Sequence, residues 1–148
     1  MFFVPFACPH CQDTKQIELY VKVFTEKARA AGRDMAAPGQ NWAPMKPLAH
    51  GSHVSLSVRR DRIQVNLNND NDEERHRFHA LSVDRQVIEH AVGEPLEWES
   101  KDGVKKTAIR ATLNAGYESP NWDEQHAWAI ETMKAFEREF GKRLKRVL

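Results

Sequence analysis

Residues 53–68 read His53-Val54-Ser55-Leu56-Ser57-Val58-Arg59-Arg60-Asp61-Arg62-Ile63-Gln64-Val65-Asn66-Leu67-Asn68, and this stretch decides the fold. Apolar and polar residues alternate with a period of two on both sides of the charged run Arg59 to Arg62. That is the pattern of two half-buried strands joined by a turn. Pairing Val58 with Ile63 brings Leu56 opposite Val65 and Val54 opposite Leu67. All six apolar side chains then share one face, so the turn and the hydrophobic pattern specify the same register.

Working outward, Asn68-Asn69-Asp70-Asn71 is turn and cap chemistry, and Asp72, Glu73 and Glu74 suit the positive end of a helix dipole. Phe78, Leu81, Val87 or Ile88, and Val92 supply one buried stripe before Gly93 and Pro95 end this helix. A second hairpin follows. Leu96 and Trp98 alternate with Glu97 and Glu99, Asp102-Gly103 signals a two-residue turn, and Thr107, Ile109, Ala111 and Leu113 alternate with Lys106, Ala108, Arg110 and Thr112. This turn pairs Trp98 with Thr107 and Leu96 with Ile109, and sets Glu99 opposite Lys106. A last helix opens near Ser119-Pro120-Asn121, with Glu124 placed for a capping box, and its buried stripe is Ile130, Met133, Phe136 or Ala129, Phe140 and Leu144. Upstream, Asp13 or Thr14 caps a helix whose Ile17, Val21, Phe24 and Ala28 share a face and which stops at Gly32. Met35 to Gly51, with Pro38, Pro44 and Pro47, reads as an irregular connection in which Trp42 plugs a core edge.

The order is therefore α-ββα-ββα. It predicts an α+β two-layer sandwich: three helices cover one face of a four-stranded antiparallel sheet, and the other face is open. Residues 1–12 are read as an N-terminal extension carrying Cys8-Pro9-His10-Cys11, and residues 13–148 as a single domain.

Composition bounds the function. The 148 residues are 41% hydrophobic, with 22 basic side chains against 21 acidic. A single domain of this size needs no disulfide or metal as a staple. The charge balance excludes a strongly basic domain while leaving a local polyanion contact open. No stretch approaches the roughly 20 apolar residues of a membrane span, and Met1-Phe2-Phe3-Val4-Pro5-Phe6 lacks the basic flank of a signal peptide. Two cysteines exclude a disulfide-rich secreted scaffold. The expectation is a soluble, cytoplasmic protein with no cofactor and no membrane contact.

Arg62-Ile63-Gln64-Val65-Asn66-Leu67, Phe78 and Leu81, Arg85 with Ile88-Glu89, Gly93, Pro95-Leu96-Glu97-Trp98, and late Trp128 and Phe136 together resemble the bacterial domain-of-unknown-function family 4268. The likeness runs from about Lys15 to Arg146. It implies a module found as the C-terminal part of larger proteins, some with nuclease-like N-terminal domains and some near restriction or defence genes. No catalytic residues are established for that family.

Five constellations carry candidate chemistry. Cys8-Pro9-His10-Cys11 before a helix has the local layout of a thiol-disulfide oxidoreductase, in which the helix N-terminus lowers a thiol pKa. Cys8 and Cys11 with His50 and His53 have the donor set of a closed zinc site, although a helix and a proline-rich loop separate the pairs. Glu99-Ser100-Lys101 with Glu97 matches half of a metal-dependent nuclease motif, which needs two converging carboxylates. His76 and His79 stand three apart, as metal ligands can, but are also placed as a solvated helix face. Arg59, Arg60, Lys106 and Arg110 are the candidate nucleic-acid contacts, with Gln64 and Asn66 placed to reach bases from the open face. The leading expectation is a non-catalytic module that binds DNA or RNA, or another protein. The alternatives are an enzyme at Glu97/Glu99/Lys101 or Cys8/Cys11, and a homo-oligomer built on the polar face or an edge strand.

Overall fold

The structure is a computed structural model describing the backbone of residues 9–147 and the side chains of residues 13–147. Helix α1 (Pro9–Ala30) leads to β1 (Trp42–Pro44), β2 (Ser52–Val58) and β3 (Ile63–Asn69). A short 3-10 turn (Glu73–Arg75) then enters α2 (His76–Ser82) and α3 (Arg85–Val92), followed by β4 (Glu97–Ser100), β5 (Thr107–Leu113) and α4 (Trp122–Val147). All strands pair antiparallel in one sheet ordered β1-β2-β3-β5-β4.

The α+β class and the antiparallel sheet agree with the sequence reading; the order and counts differ. The β2–β3 register is the expected one, with Val58 on Ile63, Leu56 on Val65 and Val54 on Leu67. A fifth strand, β1, lies inside the segment read as irregular. Its proline hid it: Pro44 offers no donor, and a sheet accepts such a residue only at an edge. Trp42 does not plug the core. It is 41% exposed and packs edge-on against His53, while its indole lies over Gly39, where a Cβ would sit 1.9 Å from Nε1.

The single middle helix is two helices. Asp84 breaks the run and accepts from Arg143 Nε at 2.9 Å, which fixes the corner to α4. Ile88 is buried and Val87 is exposed, resolving the ambiguous stripe. At the other end of the chain, Gly141 does not stop α4, which runs on to Val147.

The second hairpin is longer than a two-residue turn allows. Trp98 pairs with Ile109, Glu99 with Ala108 and Glu97 with Arg110. Gly103, at φ +76°, still turns the chain, with Val104 N–H donating to Lys101 O. The extra residues carry Lys105 O to the Asp72 N–H, 2.7 Å away. A shift of two residues preserves the faces where a shift of one would invert them, so the two-layer plan survives the change.

Val54, Leu56, Val58, Ile63, Val65, Leu67, Ile109 and Ala111 are buried on the inner face. Helix α4 packs on β2 and β3 with Met133, Phe136, Phe140 and Leu144 in the same core, and α1, α2 and α3 each contact α4. At one end the inner face turns polar. Ser52, Asn69 and Thr107 stand in one cross-strand row, all buried. Thr107 Oγ1 donates to Asp72 (2.8 Å), Asn69 Nδ2 to Thr107 Oγ1 (3.1 Å), Ser52 Oγ to Asn69 Oδ1 (2.7 Å), and Arg77 Nη1 to Ser52 Oγ (2.8 Å). Arg77 Nε returns to Asp72 at 3.4 Å and closes the ring. Asp72 also accepts from the Arg77 and Phe78 amides (2.9 and 3.0 Å), so it caps α2 from outside the helix. Burial opposes its ionisation, but these hydrogen bonds and the Arg77 charge outweigh that and hold its carboxyl below the ordinary range. The chain reaches this geometry through Asn71, Glu74 and Arg75, all with φ near +50°.

Removing Asp72 leaves Arg77 buried without its counter-charge and α2 without its cap. Asp72→Ala is therefore expected to lower unfolding free energy by about 3 kcal/mol in urea denaturation, and an unchanged midpoint contradicts the ring. A second stability test lies at His126, which is buried between Tyr20, Phe24 and Trp122 and accepts from Lys27 at 3.1 Å. Burial, then the Lys27 charge, pushes its pKa down to about 4. The folded state thus prefers the neutral ring. Its contribution is complete above about pH 6.5 and is lost as pH falls towards 4, at most about 3 kcal/mol. His126→Phe is expected to flatten stability between those pH values; an unaltered slope contradicts the assignment.

Candidate interaction surface

Because each strand alternates, the residues excluded from the core form the second face, and the register places them in three rows. Trp42, Ser57, Gln64 and Thr112 make one. Pro44, Ser55, Asn66, Arg110 and Glu97 make the next, and His53, Asn68, Ala108 and Glu99 the third. The helices gather on the opposite side around α4, and among the described residues none packs here. The strand centres carry hydroxyls and carboxamides in place of the lysines and glutamates of an ordinary solvated face.

These groups bond to one another. Gln64 Nε2 donates to Thr112 Oγ1 (3.0 Å), Asn68 Nδ2 to Ser55 Oγ (3.0 Å) and Asn66 Nδ2 to Ser57 Oγ (2.9 Å). Asn66 Nδ2 also lies 3.5 Å from Ser55 O and 3.3 Å from Gln64 O. Two facing carbonyls require the NH2 at this position, which fixes the amide orientation. Its Oδ1 is consequently left with no partner, although Asn66 is only 4% exposed, and Arg110 Nε, on the paired residue of β5, is likewise buried and unpartnered. An unmet buried acceptor or donor costs about 1–3 kcal/mol. An unmet acceptor and an unmet donor therefore belong to paired residues at the middle of this face.

The charges at its rim are already paired. Arg110 Nη2 binds Glu99 Oε2, and Lys101 Nζ lies 2.9 Å from Glu99 Oε1, so both Glu99 oxygens are engaged. The Lys101 hydrogen bond, followed by the Arg110 charge, holds the Glu99 carboxyl below the ordinary range against a desolvation that raises it. Glu97 is exposed beside it. The two carboxylates share a face, but each Glu99 oxygen already faces a cation, and among the described residues no three His, Cys, Asp or Glu side chains are grouped to hold a metal.

The four candidate nucleic-acid contacts are not brought together. Arg59 and Arg60 lie in the β2–β3 turn, and Arg60 pairs with Asp13 and, at 3.6 Å, with Glu118. Lys106 is exposed in the loop before β5 and is not opposite Glu99; Ala108 holds that place. That loop adjoins the Ser52 end of the sheet, and seven-residue β2 separates it from Arg59 by about 20 Å. Arg110 alone stands on the face, tied to Glu99. Gln64 and Asn66 do stand there, as expected. The zinc and thiol readings rest on Cys8 and on the Cys11 side chain, which lie outside the described residues. His53 sits 3.6 Å from Asp70, and His50 is exposed. Asp13, in the same helix as Cys11, binds Arg60, which lies past the Val58 end of β2, and the strand from His53 to Val58 alone spans about 17 Å. His76 and His79 are both exposed on α2.

Sequence reasoning missed the unmet Asn66–Arg110 pair, because which strands flank β3 is set by topology. A signal existed: Ser55, Ser57, Gln64, Asn66 and Asn68 are outward positions of two adjoining strands, and none is charged.

A family model, the domain of unknown function DUF4268, matches residues 14–144. No curated protein matches the chain. Among solved structures, YbjN from E. coli, described as a candidate transcription regulator, aligns with a TM-score of 0.55 at 7% identity. The alignment covers 84% of this chain and 91% of that one, a likeness of fold. The ExsC-ExsE complex gives 0.44 at 14% identity (84% and 93% covered). An uncharacterized protein from Methanothermobacter thermautotrophicus gives 0.42 at 7% (87% and 99%).

With both Glu99 oxygens paired, plasmid DNA incubated with Mg²⁺ or Mn²⁺ is expected to stay intact. Nicking that Glu99→Gln abolishes would restore the nuclease reading.

Proposed function

The chain belongs to the DUF4268 family of domains of unknown function, and we propose that it is a non-catalytic module that binds another protein through the outer face of its sheet. The observation that carries this reading is the uncovered polar face, with Asn66 Oδ1 and Arg110 Nε buried and unmet at its centre. Once neighbouring side chains shift to admit it, a carboxamide of a polypeptide supplies what they lack, since its oxygen and NH2 lie on one edge about 2–3 Å apart. The flat, row-like arrangement favours an extended or planar partner over a small ligand, which binds in concave pockets.

A base edge also presents a donor beside an acceptor, so the choice rests on charge. Phosphates dominate nucleic-acid affinity and need uncompensated cations near the reading surface. Here Arg110 is held by Glu99, Glu97 adds a negative charge, and Arg59 and Lys106 stand at opposite ends. This balance favours a protein partner; a restriction or defence setting is what the family resemblance implies for it.

The test is site-specific photocrosslinking in cells that produce the protein naturally. A crosslinking residue at position 64 or 112, on the outer face, is expected to capture protein, and one in place of exposed Lys134 on α4 is not. Adducts to nucleic acid from 64 and 112, diminished when Lys106 and Arg110 are both changed to Ala, would replace this reading with the nucleic-acid one.

A further inference from the structure

The two edges of the sheet are treated differently. Along β1 the chain's own segment runs beside the strand: Ala36 N–H donates to Pro44 O (2.9 Å), Gly39 N–H to Trp42 O (3.0 Å), and Met35 bridges Met45. Pro44 removes a donor as well. The outer edge of β4 has no such cover. Among the described residues its only ladder is the one with β5; Arg75 reaches it at one end only, bonding Ser100 Oγ at the strand's last residue and Lys101 O just past it. Alternate N–H and C=O groups of Glu97 to Ser100 therefore point away from the sheet unmet, in the form that accepts an added strand.

Side chains restrict what can be added. On the outer face β4 presents Glu97 and Glu99. Both Glu99 oxygens are satisfied by Arg110 and Lys101, whereas exposed Glu97 has no ion pair among the described residues. On the inner face Trp98 offers a half-buried ring, set by Phe78 at 6.2 Å, by Arg85 over the indole at 5.5 Å and by a 2.9 Å bond from Nε1 to Glu89. A second copy adding antiparallel across β4 brings its own glutamates against Glu97 and Glu99, and like charges directly opposite destabilise a strand pair. The edge is guarded against self-association by charge. It is not guarded against a strand whose outward residues are basic and whose inward residues are apolar.

We propose that β4 is a docking edge for an extended segment of a partner protein, one with Lys or Arg facing Glu97 and an aliphatic residue beside Trp98. The proposal rests on the protein-binding reading above and names the form of the partner: the added strand continues the same outer face past Arg110 and Glu97. No bond is made or broken beyond hydrogen bonds and one ion pair.

The test uses the full chain, labelled with ¹⁵N, and two blocked hexapeptides, one alternating Lys and Val and one alternating Glu and Val. The Lys peptide is expected to shift the amides of Glu97 to Ser100 saturably and to slow exchange of alternate amides there. It is expected to bind about fivefold more tightly than the Glu peptide, the scale of one cross-strand charge pair. Glu97→Lys, on an exposed side chain, is expected to keep the fold and reverse that preference. Shifts without slowed exchange in β4, a preference that Glu97→Lys leaves unaltered, or a dimer in sedimentation whose interface protects β4 would overturn the proposal. Crosslinks from positions 64 and 112 in the absence of β4 protection would overturn this strand alone and leave the outer-face reading standing. Absence of both would remove both.

Discussion

The closed ring of Asp72, Arg77, Ser52, Asn69 and Thr107 is the constraint on which the rest depends. An apolar inner face and amphipathic helices can be layered in many ways, since hydrophobic burial has no direction. Hydrogen bonds do. Asp72 joins three neighbours and the loop before β5 at once: it caps α2 by accepting from the Arg77 and Phe78 amides, accepts from Thr107 of β5, and donates its own N–H to Lys105 O. A buried carboxylate and guanidinium are tolerable only when every remaining lone pair and proton is met, and this ring meets them with backbone carbonyls of His50 and Asp70 as well. Gly51 belongs to the same construction. It has φ +77°, and a Cβ there would lie 2.7 Å from Arg77 Nη1.

Fixing α2 at that end fixes what remains outside. With the helical layer tied to the inner face through β2, β3 and β5, no helix among the described residues forms a layer over the polar side chains of the same strands. They bond laterally instead. That lattice uses up most of the hydroxyl and carboxamide capacity but leaves Asn66 Oδ1 and Arg110 Nε unmet. The ion pairs at the rim, Glu99 with Lys101 and Arg110, keep the face electrically quiet, and a quiet polar face suits a polypeptide more than a phosphate backbone. The core and the proposed interface are thus two consequences of one alternation, read on opposite sides of the sheet.

How far this was legible in the sequence follows from the range of the interactions. The β2–β3 hairpin could be read to the residue because turn length and hydrophobic pattern agree within sixteen residues. The β4–β5 register could not, because Asp102-Gly103 specifies a turn whereas its length is set by Lys105 reaching Asp72, thirty-three positions earlier. The break at Asp84 depends on Arg143, and β1 on a ladder with β2 that its proline disguises. For the site, the uncharged outward positions Gln64 and Asn66 were visible. The separation of Arg59 and Arg60 from Lys106 was not, since adjacency in an alternating pattern says nothing about which end of the sheet a loop occupies. Only the pairing of β3 with β5 put Arg110 beside Asn66.

Native-state hydrogen exchange measures the central constraint most directly. The Arg77 and Phe78 amides sit in the first turn of a seven-residue helix, where helix bonding alone gives them no partner. If the ring couples α2 to the three central strands, these two amides exchange only through global unfolding, together with the β3 amides of Val65 and Leu67. Exchange through local opening, at a free energy well below that of the β3 amides, would show that α2 rests on the sheet without being locked to it, and would contradict the account.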